Sequence, residues 1–374
     1  MQKKRKPSLA YITGDWSWGT EPLEPNGCAW YRCVLPMKEL ERRGWTTGLG
    51  FPGFTDEKGF GLIIEDGRIV HGWDIIVFKL LMQKEVLLKM DRAKELGQTI
   101  VVDVDDWFDG LSPSNRAFSI TDPENNSENN REIYAQIIQK SDAIITSTPF
   151  LYEYYSKKHD NVFMVRNGID NNVRIVRNGV DNERWRKQIK SPRGRIRVGW
   201  VGATPWRSND LEQLTPWFSE FIQKQNLFFH HSGHTDSSPV ASELLGVPDK
   251  YSTRMGMAPI SMYPELFKPI DIGIVPLNDI PFNHAKSYIK GLEYAAAGIP
   301  FISSYSPEYQ YLADNGIGRI ANNQEEWERH LGDLLDANTR IAEIKSNYNE
   351  LEKFSMDARG NDWDETFRLI LEKK

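Results

Sequence analysis

The sequence predicts an α/β protein of two βα domains in tandem with an interdomain cleft. Its 374 residues exceed what a single hydrophobic core usually serves. In both halves, short β-branched runs alternate with apolar residues at helical spacing. Between the halves, residues 184–195 are rich in Arg, Lys, Pro and Gly and have no apolar face, which marks a linker.

In the first half, strands are expected at 8–13, 45–49, 74–78, 99–104, 143–147 and 162–165, and helices at 29–43, 85–96, 131–140 and 149–158. A series of this kind builds a parallel sheet whose ligands gather at the carboxyl ends of the strands. The second series has strands at 196–201, 227–231, 272–275 and 300–303, with helices near 211–223, 263–267, 287–297 and 325–335. The domains are therefore read as 1–183, a linker at 184–195, and 196–355, followed by a closing segment at 356–374. Residues 162–172 are repeated at once by 173–183, with seven of eleven positions identical. Two copies are too few for a solenoid, so this is a local duplication, or a hairpin built on the turn-forming Asn167-Gly168 and Asn178-Gly179.

Composition narrows the classes. With 40% hydrophobic, 26% charged and 11% aromatic residues the chain is globular. No apolar run reaches the roughly 20 residues of a membrane span, and no signal-peptide core follows the basic start, so a cytoplasmic protein is expected. The Lys/Arg cluster at residues 3–6 is a solvated tail or a weak attachment to an anionic inner membrane surface. A formal charge of −6 predicts no extended nucleic-acid groove. Cys28 and Cys33 are too few for a disulfide framework or a zinc site and are expected to be wholly or partly buried thiols.

The most informative stretch is 281–300. Ser287 or Asn283 can cap a helix on which Lys286, Lys290 and Glu293 share one face, while Ile289, Leu292 and Ala296 pack on the other. A helix start flanked by lysines suits a diphosphate, and Glu293 can accept hydrogen bonds from ribose hydroxyls. The alternative is an exposed Lys290–Glu293 ion pair on a surface helix. In the first domain, Gly27 lies after the first strand and permits close backbone approach of a substrate, and Arg32 can neutralise its charge. A plain turn before a helix is the alternative. Asp103, Asp105 and Asp106 end the strand at 99–104. Asp105 and Asp106 are placed at the cleft to orient acceptor hydroxyls; the alternatives are metal ligation by the Asp-x-Asp array or capping of the next turn. His230, His231 and His234 are read as a strand-end loop and not as a zinc site, for want of a fourth ligand.

The pattern Lys290-x-x-Glu293-Tyr294-x-Ala296-x-Gly298-x-Pro300 resembles the donor-site signature of the group 1, family-4 class of retaining glycosyltransferases. The Arg-Asn-Gly-Ile/Val-Asp turns of the duplication, the 198–203 strand and glycine loop, and the closing helix at 363–371 are similar to that class in the same chain order. The resemblance implies the GT-B architecture: two Rossmann-like βα domains, the first for acceptor, the second for a nucleotide sugar, and a final helix crossing back. It also implies retention of anomeric configuration, no metal or other cofactor, Glu293 on the ribose, Lys286, Ser287 and Lys290 at the diphosphate, and Arg254 in the nucleobase segment. Two positions depart from the class: Ala285 stands where a second glutamate is usual, and Ala203 where an arginine is common, leaving Arg207 as the phosphate contact or as a solvated loop residue.

The expected function is thus sugar transfer from a nucleotide diphosphate donor to an acceptor hydroxyl. A surface glycan or lipid-linked saccharide comes first as acceptor, ahead of protein or modified DNA. The alternatives are a nucleotide-sugar epimerase on the same scaffold, a metal-dependent GT-A-type transferase using the Asp-x-Asp array, and a non-catalytic binding module.

Overall fold

The computed structural model describes residues 5–17, 23–64, 66–122, 124, 126–169, 194–207, 209–236 and 238–373. The second copy of the duplication, 173–183, and all but the last two residues of the expected linker lie outside them.

Two sheets form, as the alternation predicts. The first has the order β4-β3-β2-β1-β5-β6-β7-β8. Its parallel part runs through β2 (Thr46–Thr55), β1 (Ser8–Thr13), β5 (Ile75–Lys79), β6 (Thr99–Val104), β7 (Ala143–Thr146) and β8 (Val162–Met164). The antiparallel edge, β3 (Gly59–Ile63) and β4 (Ile69–Val70), was not foreseen, because the glycine-rich run from 48 to 61 has weak strand propensity. Those glycines are required by packing: a Cβ at Gly48 would lie 2.6 Å from Leu62 and 2.9 Å from Trp73.

The second sheet is parallel throughout, in the order β11-β10-β9-β12-β13-β14. Its strands are β9 (Arg197–Val201), β10 (Phe228–His234), β11 (Ser252–Gly256), β12 (Ile272–Val275), β13 (Phe301–Ser304) and β14 (Arg319–Ala321). Strand order reverses between β1 and β5 in one sheet and between β9 and β12 in the other. Both reversals open a crevice at the carboxyl ends, where open α/β sheets bind ligands.

Four helices position the site. Helix α1 comprises Gly27–Ala29, a π-helical Trp30–Val34 and Leu35–Arg42; α2 is Pro281–His284; α3 is Ile289–Ala296; α4 is Met356–Glu372. Ser355 caps α4 by accepting from the Ala358 N–H, and Arg42 and Trp45 bond to Asp357 and Asp364, so this last helix packs on α1 of the first domain. Where the chain returns to the first domain, the Ile169 N–H donates to the Phe354 carbonyl and the Ile169 carbonyl accepts from the Met356 N–H. A Cβ at Gly168 would meet the Met356 Cα at 2.9 Å, which accounts for glycine in the first Asn-Gly pair.

The core has three layers. One cluster lies mainly on one face of the first sheet and another on one face of the second. The third is continuous between the domains, joining Tyr11, Tyr31 and Cys33 to Tyr288, Leu292 and Trp363. No helix among the described residues is long and apolar enough to cross a membrane.

Candidate active site

The second domain supplies a cationic bed. Strand β9 runs into Gly202, whose carbonyl accepts from His231 Nε2 at 2.8 Å, and Gly233 (φ +101°) comes so close that a Cβ there would lie 2.8 Å from the Gly202 oxygen. The chain then turns through Thr204–Trp206 to Arg207, whose Nε is buried without a hydrogen-bond partner among the described residues. Lys286 precedes α3, and Lys290 and Glu293 lie on it. Burial lowers the pKa of Lys286, and Arg207 pushes it the same way against the pull of Asp106 and Asp210. Lys290 is likewise lowered by burial and by Arg207, against Glu293. The two lysines thus lie near Arg207 in a buried place, which disfavours their own charge until an anion arrives.

Glu293 is the hub. Its Oε1 accepts from the Tyr31 hydroxyl at 2.9 Å, and its Oε2 from the Tyr263 hydroxyl at 3.0 Å and from Lys290 Nζ at 2.6 Å. The exposed-pair alternative is overturned, because the side chains of Lys290 and Glu293 are only 15% and 3% exposed. Helix α3 is buried almost all round, wedged between the second sheet and the first domain, where amphipathic spacing had suggested one solvent face. Tyr288 occupies its N-cap without a side-chain cap bond. Neither expected cap serves: the Ser287 hydroxyl accepts from Asn167 across the interface at 2.8 Å, and Asn283 donates to Asp210 at 2.7 Å and to the Asn278 carbonyl at 3.0 Å.

The first domain presents carboxylates from β6. Asp103, the first carboxylate of the Asp-x-Asp array, is committed to partners inside the protein. It is fully buried, bound bidentately by Arg32 (2.7 and 3.1 Å) and by Lys79 at 3.2 Å. Arg32 is equally committed, donating also to the Val165 carbonyl at 2.6 Å and Asn167 at 3.0 Å while lying over the Trp363 ring. It cannot neutralise a substrate as expected. Burial works against the Arg32 charge, but Asp103 outweighs it and holds the guanidinium more basic than usual.

Asp105 and Asp106 follow β6 at the cleft. Burial favours the neutral form of Asp105, yet the ammonium of Lys79, in direct contact, holds it below the ordinary range. Asp106 is raised by burial and by neighbouring Asp105, against Lys286, Lys79 and Arg207 of the same basin. Cys28 is half-buried and Cys33 buried. Ligand atoms of Cys28, Asp105 and Asp106 lie within 4.8 Å of one another. That donor set suits a hard divalent cation poorly, since Asp105 is already neutralised by Lys79 and burial holds the Cys28 thiol protonated.

The remaining sequence candidates are placed as follows. Gly27 begins α1, and a Cβ there would meet nothing within 4 Å, so no crowding inside the chain demands glycine. Arg254 is exposed on edge strand β11, opposite His231. The three histidines lie within β10 and not in a loop after it. Burial pushes His230 and His231 down to about 4, and both nitrogens of His230 are engaged, by Thr253 at 2.8 Å and Ser232 at 3.0 Å. Sequence reasoning missed Tyr31, Tyr263, Lys79 and Asp210. None belongs to a charged motif; Tyr31 stands in the segment singled out for Gly27 and Arg32, where its neighbours drew the notice.

At the domain boundary Asn115 donates to the Trp206 carbonyl at 3.0 Å, beside a groove of ≈ 490 Å³ lined by Pro113, Ser114, Arg116, Ser119, Pro205 and Pro239.

Two sheets built on parallel βα units with reversed strand order, joined across a shared seam and tied by a returning C-terminal helix, define the GT-B glycosyltransferase fold. The chain is similar over 99% of its length to all of a sucrose-phosphate synthase from Thermosynechococcus elongatus (TM-score 0.66, 12% identity). It is similar over 100% of both chains to a glycosyltransferase from Rickettsia africae ESF-5 (TM-score 0.64, 12% identity). Anabaena HepE in complex with UDP-glucose matches 97% of this chain and 100% of its own (TM-score 0.60, 13% identity). Among curated proteins, a Bacillus subtilis (strain 168) chain assigned as the teichuronic acid biosynthesis glycosyltransferase TuaH is 27% identical over 252 residues, 63% of this chain. The match spans 57% of that relative's length. No protein-family profile matches the chain.

Proposed function

We propose that the protein transfers a sugar from a nucleotide diphosphate donor to an acceptor hydroxyl, with retention and without a metal. The observation that carries this reading is the crowding of Arg207, Lys286 and Lys290, whose charges a leaving diphosphate would relieve. In the transition state negative charge grows on that diphosphate, so cations already in place lower the barrier without reorganisation. Glu293 takes the donor ribose. Asp106, raised toward neutrality at the opposing strand end, faces the acceptor. The Anabaena protein that holds UDP-glucose supports a uridine donor, and the relative assigned to teichuronic acid biosynthesis supports a surface glycan or lipid-linked saccharide as acceptor.

A panel of nucleotide sugars with saccharide acceptors tests the reaction. Release of nucleotide diphosphate, undiminished by chelator, is expected. Isomerised donor without release would mean an epimerase. Activity abolished by chelator and restored by Mn²⁺ would mean a metal-assisted transferase.

The lysines make affinity depend on pH. Each has a pKa below the ordinary lysine value in the free protein, and a bound diphosphate favours the charged form. UDP affinity should therefore be full at neutral pH and fall as pH rises through the lowered values, before the ordinary lysine pKa of about 10.4. Calorimetric titration from about pH 7 to about pH 10 measures this; a flat profile would remove the lysines from the site.

A further inference from the structure

We propose that Tyr31 is a positioning residue that occupies the donor site in the ligand-free protein, so that nucleotide binding must break the Tyr31–Glu293 contact between the domains. This rests on the reading of Glu293 as the ribose acceptor. Glu293 has a side chain only 3% exposed, so a ribose reaches its carboxylate only by displacing something that covers it. Of its three partners, Lys290 lies on the same helix and Tyr263 in the same domain, and Lys290 also contacts the Tyr263 hydroxyl. Tyr31 alone of the three comes from the first domain, 262 residues away in the chain, and among the described residues it alone donates to Oε1.

Local structure makes Tyr31 the movable partner. It lies in the π-helical Trp30–Val34, a geometry found mostly as single turns inside α-helices and frequently at functional sites. Other bridges, among them Asn167 to Ser287, Tyr288 to the Asn167 carbonyl and Thr148 to the Ala285 carbonyl, join the domains without engaging Glu293. The domains can stay joined there while Tyr31 withdraws. Donor affinity and interdomain contact are then linked: each hydrogen bond that a ribose makes to Oε1 replaces one that the free protein already had.

Tyr31→Phe keeps the ring in the core and deletes only the competing hydroxyl. Because a hydrogen bond to a charged group is lost from the free protein alone, UDP is expected to bind about tenfold tighter to the variant. A merely structural tyrosine would lower the melting temperature and leave affinity where it was. A second measurement needs no variant. UDP added to the parent should speed amide hydrogen exchange in residues 30–34 while slowing it in residues 289–296; unchanged exchange in residues 30–34 overturns the proposal. Glu293→Gln, titrated alongside, separates the two ideas. If it weakens UDP binding while Tyr31→Phe leaves binding unchanged or weaker, only the gating role falls. If Glu293→Gln binds UDP as the parent does, the donor assignment falls and the gating role with it.

Discussion

Replacing Glu293 with Gln is expected to weaken binding of the nucleotide diphosphate by about 1.5–3 kcal/mol, a tenfold to hundredfold rise in dissociation constant. The amide matches the carboxylate in size, so the α3 packing survives. What changes is charge: the hydroxyls of a ribose would face a neutral acceptor, and one of the two amide positions carries donors. The change also leaves Lys290, now 2.6 Å from the carboxylate, without its counter-ion and surrounded by Arg207 and burial. Some affinity could return through the diphosphate, because Lys290 freed from Glu293 can turn to it, so the measured loss is a lower bound on the ribose contribution. Melting temperature must be read beside the titration, since the residue is buried. A folded variant with parental affinity would place the nucleotide elsewhere.

The fold was legible because it rests on periodicity. Three strands, 8–13, 99–104 and 272–275, form as expected to the residue, since β-branched runs buried on both faces have few alternatives. The β3–β4 edge was not, because its glycines serve packing against Leu62, Trp73 and Ile69, which no local pattern encodes. The site was legible only as an inventory of charges. Lys286, Lys290, Glu293, Arg207, Asp105 and Asp106 all lie in the basin between the sheets, coupled electrostatically to one another. Their partners were invisible: Arg32 and Asp103, 71 residues apart, are joined only by the topology that sets α1 over β6. For the same reason a carboxylate array that reads as ligands in one dimension divides in three. Asp103 turns into the core, Asp105 is bound by Lys79, and Asp106 is left facing the opposing domain.

That division makes Asp103→Asn the sharpest test of the first domain. Among the described residues Asp103 is the only carboxylate bonded to Arg32, and it shares Lys79 with Asp105; all three side chains of the Arg32–Asp103–Lys79 triad are fully buried. Removing one charge from a buried ion group leaves the others uncompensated, which typically costs about 3–5 kcal/mol. Here two cations would share the single carboxylate of Asp105. The expected result is a fall in melting temperature on the order of 10 °C, with lower urea midpoint and turnover per folded molecule close to parental. Were Asp103 instead a metal or substrate ligand, the variant would melt near the parent and lose turnover. The stability measurement therefore decides between the readings without any substrate in hand. An Asp103→Asn protein as stable as the parent would reopen the Asp-x-Asp array as a working site.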